Sequence, residues 1–276
     1  MASPPTSYIF SRNYRSSIRL NYQHALVTKL AGNQLLHPAI RAWIDPSTSL
    51  HVADIGTGTA IWPAELAESL PDSHVEGFDL STDQYPAWLP ESVTLHQHDT
   101  FQPFPPEHQG VYDIVNLRFF ITLLNAENLP LLLRNVMSLL KPGGFFQWLD
   151  LDPRSVQPIA TDPTVPLTQA RSVAALMQGI PLDVASWLTD NGDMLKPAGF
   201  EPLVSDRLQL KDLYRPLWNH SLLMGMEELC YTLETSQTDP AKAQTMRQNL
   251  EQLSGEFAQG ASIDAQWFYL VAQKPV

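Results

Sequence analysis

Apolar residues change their spacing several times along this chain, and each change marks an element. From Ser16 to Leu30 the residues Leu20, His24, Val27 and Leu30 fall close to one face, as in a helix. His51 to Ile55 is a brief apolar run of strand type. Ile61 to Leu70 returns to helical spacing, with Pro63 suited to its first turn. Further strand-like runs occur at Val75 to Asp79, Val93 to Asp99, Tyr112 to Arg118 and Phe145 to Leu149. A helical stretch, Leu129 to Leu140, precedes the last of these, and Lys141-Pro142-Gly143-Gly144 is the tight turn that opens it.

Beyond Asp150 the pattern is less regular. Pro153 to Pro166 is proline-rich and reads as an irregular crossing. Val165 to Met177 and Asp183 to Leu195 predict helices, and a strand begins at Gly199 and runs to about Leu210. Asp212 to Glu234 and Pro240 to Ala258 predict two more helices, and Trp267 to Ala272 a last strand. Strands alternating with helices imply an α/β fold with a parallel sheet. Such a sheet binds ligands at the carboxyl ends of its strands, near the point where strand order reverses.

The segment Val52-Ala53-Asp54-Ile55-Gly56-Thr57-Gly58-Thr59-Ala60-Ile61-Trp62 carries the chemistry. It is a strand, a glycine turn and a helix start, which aims free N–H groups at a ligand. Gly56 and Gly58 lack a Cβ, so a ligand can lie against the main chain there. Asp79 closes the second strand about 20 residues on, where an acid accepts from ribose hydroxyls. Asp54, Asp99 and Asn116 also fall at or near strand ends.

Taken in order, VADIGTGTAIW, GFDLS, HDTFQPFP, YDIVNLRFF and LLKPGGFFQWLDLDP resemble a class I S-adenosylmethionine (SAM)-dependent methyltransferase. The leader SSIRLNYQHALVTKLAGNQLLHPAI is similar to that of fungal small-molecule methyltransferases of secondary-metabolite clusters. The resemblance is strong from Ser17 to Asp152 and loose from Pro153 to Ala261. It implies a Rossmann-like, seven-stranded, mostly parallel sheet whose last strand inserts antiparallel beside the fifth. Residues 1–46 would be a helical leader or lid, and 47–276 the methyltransferase domain. Helical caps over the substrate are expected at about 153–197 and 212–261.

The resemblance also implies site roles. Asp54, Gly56, Thr57 and Gly58 would lie along the methionine part of SAM, with Asp79 and Leu80 at the ribose. Asp99, Thr100 and Phe101 would meet the adenine, and Asn116 and Arg118 would face the methyl group. Ala60 stands where a third glycine is usual, and Asn116 where many relatives carry a histidine. With that base absent, His24, Asp150 and His220 are the candidate bases. Tyr22, Trp148, Trp218 and Met224 are candidate substrate-pocket walls.

Composition narrows the partners. The formal charge of −12 and the lack of any basic run argue against nucleic acid. No run of roughly 18 apolar residues is present to span a membrane. Met1 to Phe10 has no apolar signal-peptide core, so a cytoplasmic location is expected, as a monomer or homodimer. Cys230 is the single cysteine, which fits a reducing compartment. His96, His98 and His108 show no fixed spacing with an acid or cysteine, so no metal is expected. The expected reaction is methyl transfer from SAM, leaving S-adenosylhomocysteine (SAH), to O or N of a small secondary metabolite. The alternatives are cyclisation or pericyclic chemistry with SAM as a bound scaffold, and a non-catalytic regulator on the same fold.

Overall fold

The computed structural model describes residues 12–45, 48–179, 192–236 and 239–276. The strands are β1 (His51–Ile55), β2 (His74–Asp79), β3 (Val93–Gln97), β4 (Tyr112–Arg118), β5 (Leu140–Ala160), β6 (Glu201–Gln209) and β7 (Ala261–Gln273). They form one sheet in the order β3-β2-β1-β4-β5-β7-β6. β1 pairs in parallel with β2 and with β4, β2 with β3, and β4 with β5. Strand order therefore reverses between β1 and β4, the place where this architecture binds ligands.

β7 runs the other way, beside β5. Gly143 N donates to Lys274 O and Lys274 N to Gly144 O, both at 2.9 Å. Further along, Thr161 N donates to Gly260 O at 3.0 Å and Gln266 N to the Ser155 hydroxyl at 2.8 Å. As the β5 residue number rises the β7 number falls, which is antiparallel pairing.

The helices are α1 (Tyr14–Leu30), α2 (Pro38–Trp43), α3 (Ile61–Ser69), α4 (Leu129–Leu139), α5 (Thr168–Gln178), α6 (Arg215–Ser236) and α7 (Pro240–Ala258). The chain divides into two compact units. Of the described residues, one holds 31–45, 48–151, 192–208 and 267–276, and the other 12–30, 152–179, 209–236 and 239–266. The first contains most of the sheet and its core. Alternation along β1 sends Ala53 and Ile55 into one buried cluster with Phe78, Phe104 and Trp148. Val52 goes to the opposite face with Trp62, Leu66 and Val75.

The second unit joins the leader helix to the helical insertions. α1 packs on α6, α6 on α7, and α5 on α7. Arg19 Nε donates to Glu228 Oε2 at 2.8 Å, both side chains being buried, and the Ser16 hydroxyl donates to Glu228 Oε1. α5 starts at Thr168, later than the apolar spacing predicts, because the N–H groups of Gln169 and Ala170 end on the Glu256 carboxylate, at 2.8 and 2.9 Å. That carboxylate of α7 caps α5 from outside its own helix.

Other departures from the pattern have similar causes. Pro153 to Pro166 is the irregular crossing its prolines predict only from Thr161 on: β5 continues to Ala160 because its partner β7 begins at Ala261. Lys141 to Gly144 likewise lies inside β5, held by the bonds to Lys274. The helix expected from Asp183 to Leu195 lies mostly outside the described residues. Its last positions belong instead to a 3-10 helix, Asp193–Ala198.

Candidate cofactor site

The turn after β1 is clipped to its neighbour strand. Gly56 N and Thr57 N both donate to Phe78 O, at 2.8 and 3.0 Å. Gly58 N donates to Asp79 Oδ2 at 2.9 Å, and Ser81 N to Asp79 Oδ1 at 3.2 Å. The acid at the end of β2 thus holds the glycine turn open by hydrogen bonds to the main chain. Gly56 and Gly58 have φ of +68° and +56°, where glycine is relaxed. Ala60 is also left-handed, at +57°, and fully buried. Its methyl costs about 1–2 kcal/mol of backbone strain that a glycine would avoid.

Gly56 has a second reason to lack a side chain. A Cβ there would lie 2.2 Å from Phe120 Cε2, so the Phe120 ring packs directly on its Cα. Phe119, just before, has a left-handed φ of +58°. Asp150 fixes this corner: its Oδ2 accepts from Phe120 N, Ile121 N and Trp148 Nε1 at 2.6, 2.9 and 3.2 Å. Its Oδ1 accepts from Leu151 N at 2.9 Å. Burial pushes the Asp150 carboxyl up to about 6, against these N–H donors, which pull it down. With both oxygens held by N–H groups, the geometry favours an anchor over a proton acceptor. Trp148, expected in a substrate wall, is fully buried against Phe146 and Phe268. It belongs to the core, and its indole N–H is taken by Asp150.

Asp54 opens a buried polar chain. Asn116, level with it on β4, donates Nδ2 to Asp54 Oδ1 at 2.7 Å. Asn116 Oδ1 accepts from Gln147 Nε2 at 2.7 Å, and Gln147 Oε1 accepts from His37 N and the Tyr269 hydroxyl at 3.0 and 3.2 Å. Both ends of the Asn116 amide are therefore engaged inside the sheet. Burial pushes the Asp54 carboxyl up, and the Arg118 charge opposes it. The Arg118 guanidinium lies 5.9 and 5.6 Å from the ring centroids of Trp62 and Phe119.

The third expected contact group lies just past β3. Asp99 Oδ1 accepts from Phe101 N at 3.0 Å; among the described residues no donor reaches Oδ2. Asn135 Nδ2 holds the backbone carbonyls of Thr100 and Gln102 at 2.8 and 2.9 Å. The Phe101 ring lies 6.4 Å from that of Phe120, and Leu80 is exposed. Asp54, Gly56, Thr57, Gly58, Asp79, Asp99, Thr100, Phe101, Asn116, Arg118 and Asp150 all belong to the sheet unit.

The remaining candidates fall in the helical unit. Tyr22 and His220 meet there, with 3.4 Å between the hydroxyl and Nδ1. His24 is buried in α1 and Trp218 in α6, while Met224 is partly exposed. Two residues of the site, Phe120 and Gln147, do not stand out in the sequence. The doubled aromatic Phe119-Phe120 directly after a strand is the available signal for the first. The second has none, because its partners are remote in sequence.

A family model described as a methyltransferase domain matches residues 25–211. The chain belongs to the methyltransferase family. Its cofactor is SAM, and the site suits one. α3 begins at the glycine turn without a side-chain cap, so its first N–H groups are available to a carboxylate.

Relatives agree. Methyltransferase grgD of Penicillium sp is 37% identical over 145 residues, covering 50% of each chain. N-methyltransferase tcpN of Claviceps purpurea is 26% identical over 183 residues, covering 65% of this chain and 60% of that one. Methyltransferase pytC of Aspergillus terreus is 28% identical over 212 residues, covering 74% and 60%. The matches span only 50–60% of these relatives' own lengths. Among solved structures, YjhP from E. coli shares the fold, with a TM-score of 0.52, 14% identity and coverage of 98% and 96%.

Proposed function

We propose that this protein transfers a methyl group from SAM to an oxygen or nitrogen of a small-molecule secondary metabolite. The observation that carries this reading is the glycine turn at the β1/β4 switch point, clipped to Asp79 and Phe78. In this reading Asp54 and the α3 N-terminus hold the methionine part, and Asp79 the ribose. Asp99 takes the adenine amine and Phe101 packs the ring. Arg118 lies beside Asp54 and sets the charge of the methionine end. SAM, when bound, supplies an activated methyl on a sulfonium, attacked in line by the acceptor.

The chain's part is then to hold the acceptor in line and exclude water, which supplies on the order of 7 kcal/mol or more of rate enhancement. In this reading substrate recognition is assigned to the helical unit, in which α1 is bound to α6 through Arg19 and Glu228. His220 is its candidate proton acceptor, with the Tyr22 hydroxyl 3.4 Å from Nδ1 as an orienting partner. The relatives named for methyl transfer, one of them to nitrogen, support the reaction class. Among the described residues no helix is long and apolar enough to cross a membrane. A cytoplasmic location is part of the same reading.

The test is a mass-spectrometric comparison of metabolites from cells with and without the protein, followed by incubation of the shifted compound with SAM. A product heavier by one methyl group, formed with one equivalent of SAH, is the expected result. Conversion without SAH, or no conversion together with tight binding of a protein partner, would overturn it.

A further inference from the structure

We propose that Glu76, His96 and His108 form a binding site for a divalent transition-metal ion, with Zn2+ as the fitting occupant. The three residues are 20 and 12 positions apart in the sequence, which is why no metal-ligand spacing is visible there. Strand pairing brings them together. β2 and β3 are parallel, with Glu76 level with Thr94 and Phe78 level with His96. Glu76 and Phe78, two apart on β2, share a face, so His96 is the diagonal neighbour of Glu76. His108 ends the 3-10 turn Pro106–His108 that precedes β4.

The distances approach those of a coordination shell. Glu76 Oε2 is 2.6 Å from His96 Nε2 and 3.6 Å from His108 Nδ1. The three ligand atoms all lie within 4.8 Å of one another. A tetrahedral ion with bonds of about 2.0–2.1 Å needs its ligand atoms about 3.3 Å apart. Side-chain torsions of partly exposed groups can make up that difference.

The surroundings favour an ion as well. Phe78 stacks on the His96 ring at 4.9 Å and meets His108 edge-on at 5.0 Å, which fixes both imidazole planes. The buried Tyr112 hydroxyl lies 2.9 Å from His108 Nδ1; burial pushes its pKa up, and the nearby Glu76 charge pushes it further. With an ion on Nδ1, that hydroxyl would be freed to donate toward the Glu76 carboxylate, as outer-shell groups usually do. The ligand side chains are 15–30% exposed, which leaves an entry path and room for a water as fourth ligand. His98, nearby, points elsewhere, its Nε2 on Gln102 O at 3.3 Å. Two imidazoles and one carboxylate suit Zn2+ and its neighbours in the first transition row, whereas Mg2+ and Ca2+ take all-oxygen shells. The ion would tie the loop after β3, which carries Asp99 to Phe101, to β2 at its far end.

The test uses the full chain stripped with EDTA and titrated calorimetrically with Zn2+. Co2+ serves in parallel as a visible-absorption probe. One equivalent of either ion should bind, Mg2+ should not compete, and Zn2+ should raise the melting temperature. His96→Gln, His108→Gln and Glu76→Gln should each weaken binding at least tenfold, the lower end of losses seen even for outer-shell partners. His74→Gln should leave it unchanged, since His74 forms a separate imidazole pair with His51, 5.2 Å between centroids. If a variant fails to fold, the wild-type Co2+ spectrum decides alone, by showing or lacking tetrahedral absorption. Absence of stoichiometric binding, or binding that survives all three substitutions, would overturn the proposal and leave a hydrogen-bonded Glu–His cluster.

Discussion

Replacing Gly56 by alanine tests whether the glycine turn is shaped by the protein itself as well as by its ligand. Two terms add. The residue sits at φ +68°, which costs an L side chain about 1–2 kcal/mol. The new Cβ would lie 2.2 Å from Phe120 Cε2, and overpacking of this kind costs roughly 1–3 kcal/mol. Lower entropy of the unfolded chain returns about 0.4–1 kcal/mol. Gly56→Ala should therefore destabilise by about 1–5 kcal/mol. The two terms separate in a double-mutant cycle. Phe120→Ala alone should cost roughly 3–5 kcal/mol as a buried aromatic truncation. The double variant should be more stable than the sum of the singles by the overpacking term, because the clash is gone while the backbone strain remains. Urea unfolding followed by tryptophan fluorescence, to which the buried Trp62 and Trp148 of the sheet unit contribute, reads all four proteins. Strict additivity would refute the contact between Phe120 and Gly56.

Asp150 predicts a pH signature. Its folded carboxyl titrates at about 6, above the unfolded value of about 3.9, so the folded state binds the extra proton between those values. Relative to Asp150→Asn, the wild type should gain roughly 2 kcal/mol of stability as pH falls from 7 to 4. A difference that stays flat, or reverses, in pH-dependent urea unfolding would show that the N–H donors outweigh burial. In the helical unit, Glu228→Ala leaves the buried Arg19 guanidinium without that carboxylate and should cost roughly 3–5 kcal/mol. Hydrogen exchange should show α1 losing protection first; unchanged protection of α1 would contradict its docking through this pair.

Local pattern is enough for β1, the glycine turn, α3 and the acid of β2, because each is a short segment whose partners lie next to it. The length of β5 is not legible, since Pro153 and Pro158 signal a break and only the remote β7 supplies the pairing that overrides it. That the Asn116 amide is engaged by Asp54 and Gln147, from two other strands, is not legible, because strand register and not spacing brings the three together. Trp148 reads equally as wall or core, and the carboxylate that satisfies its indole settles it into the core. The meeting of Glu76 with His96 and His108 depends on strand register, which spacing along the chain does not carry.

The central claim is that the cofactor lies on the turn between Asp54 and Gly58, with its ribose on Asp79. Calorimetric titration with SAH of the wild type, Asp79→Ala and Asp79→Asn tests it most directly. Melting temperatures taken on the same samples control for the bond from Gly58 N to Asp79. Wild type should bind one equivalent. Asp79→Ala should lose roughly 1.5–3 kcal/mol of a charge-assisted bond, about 10- to 150-fold in affinity. Asp79→Asn, which keeps an oxygen for Gly58 N, should lose affinity while melting close to wild type. SAH affinity unchanged in both variants would contradict the placement of the cofactor on this turn.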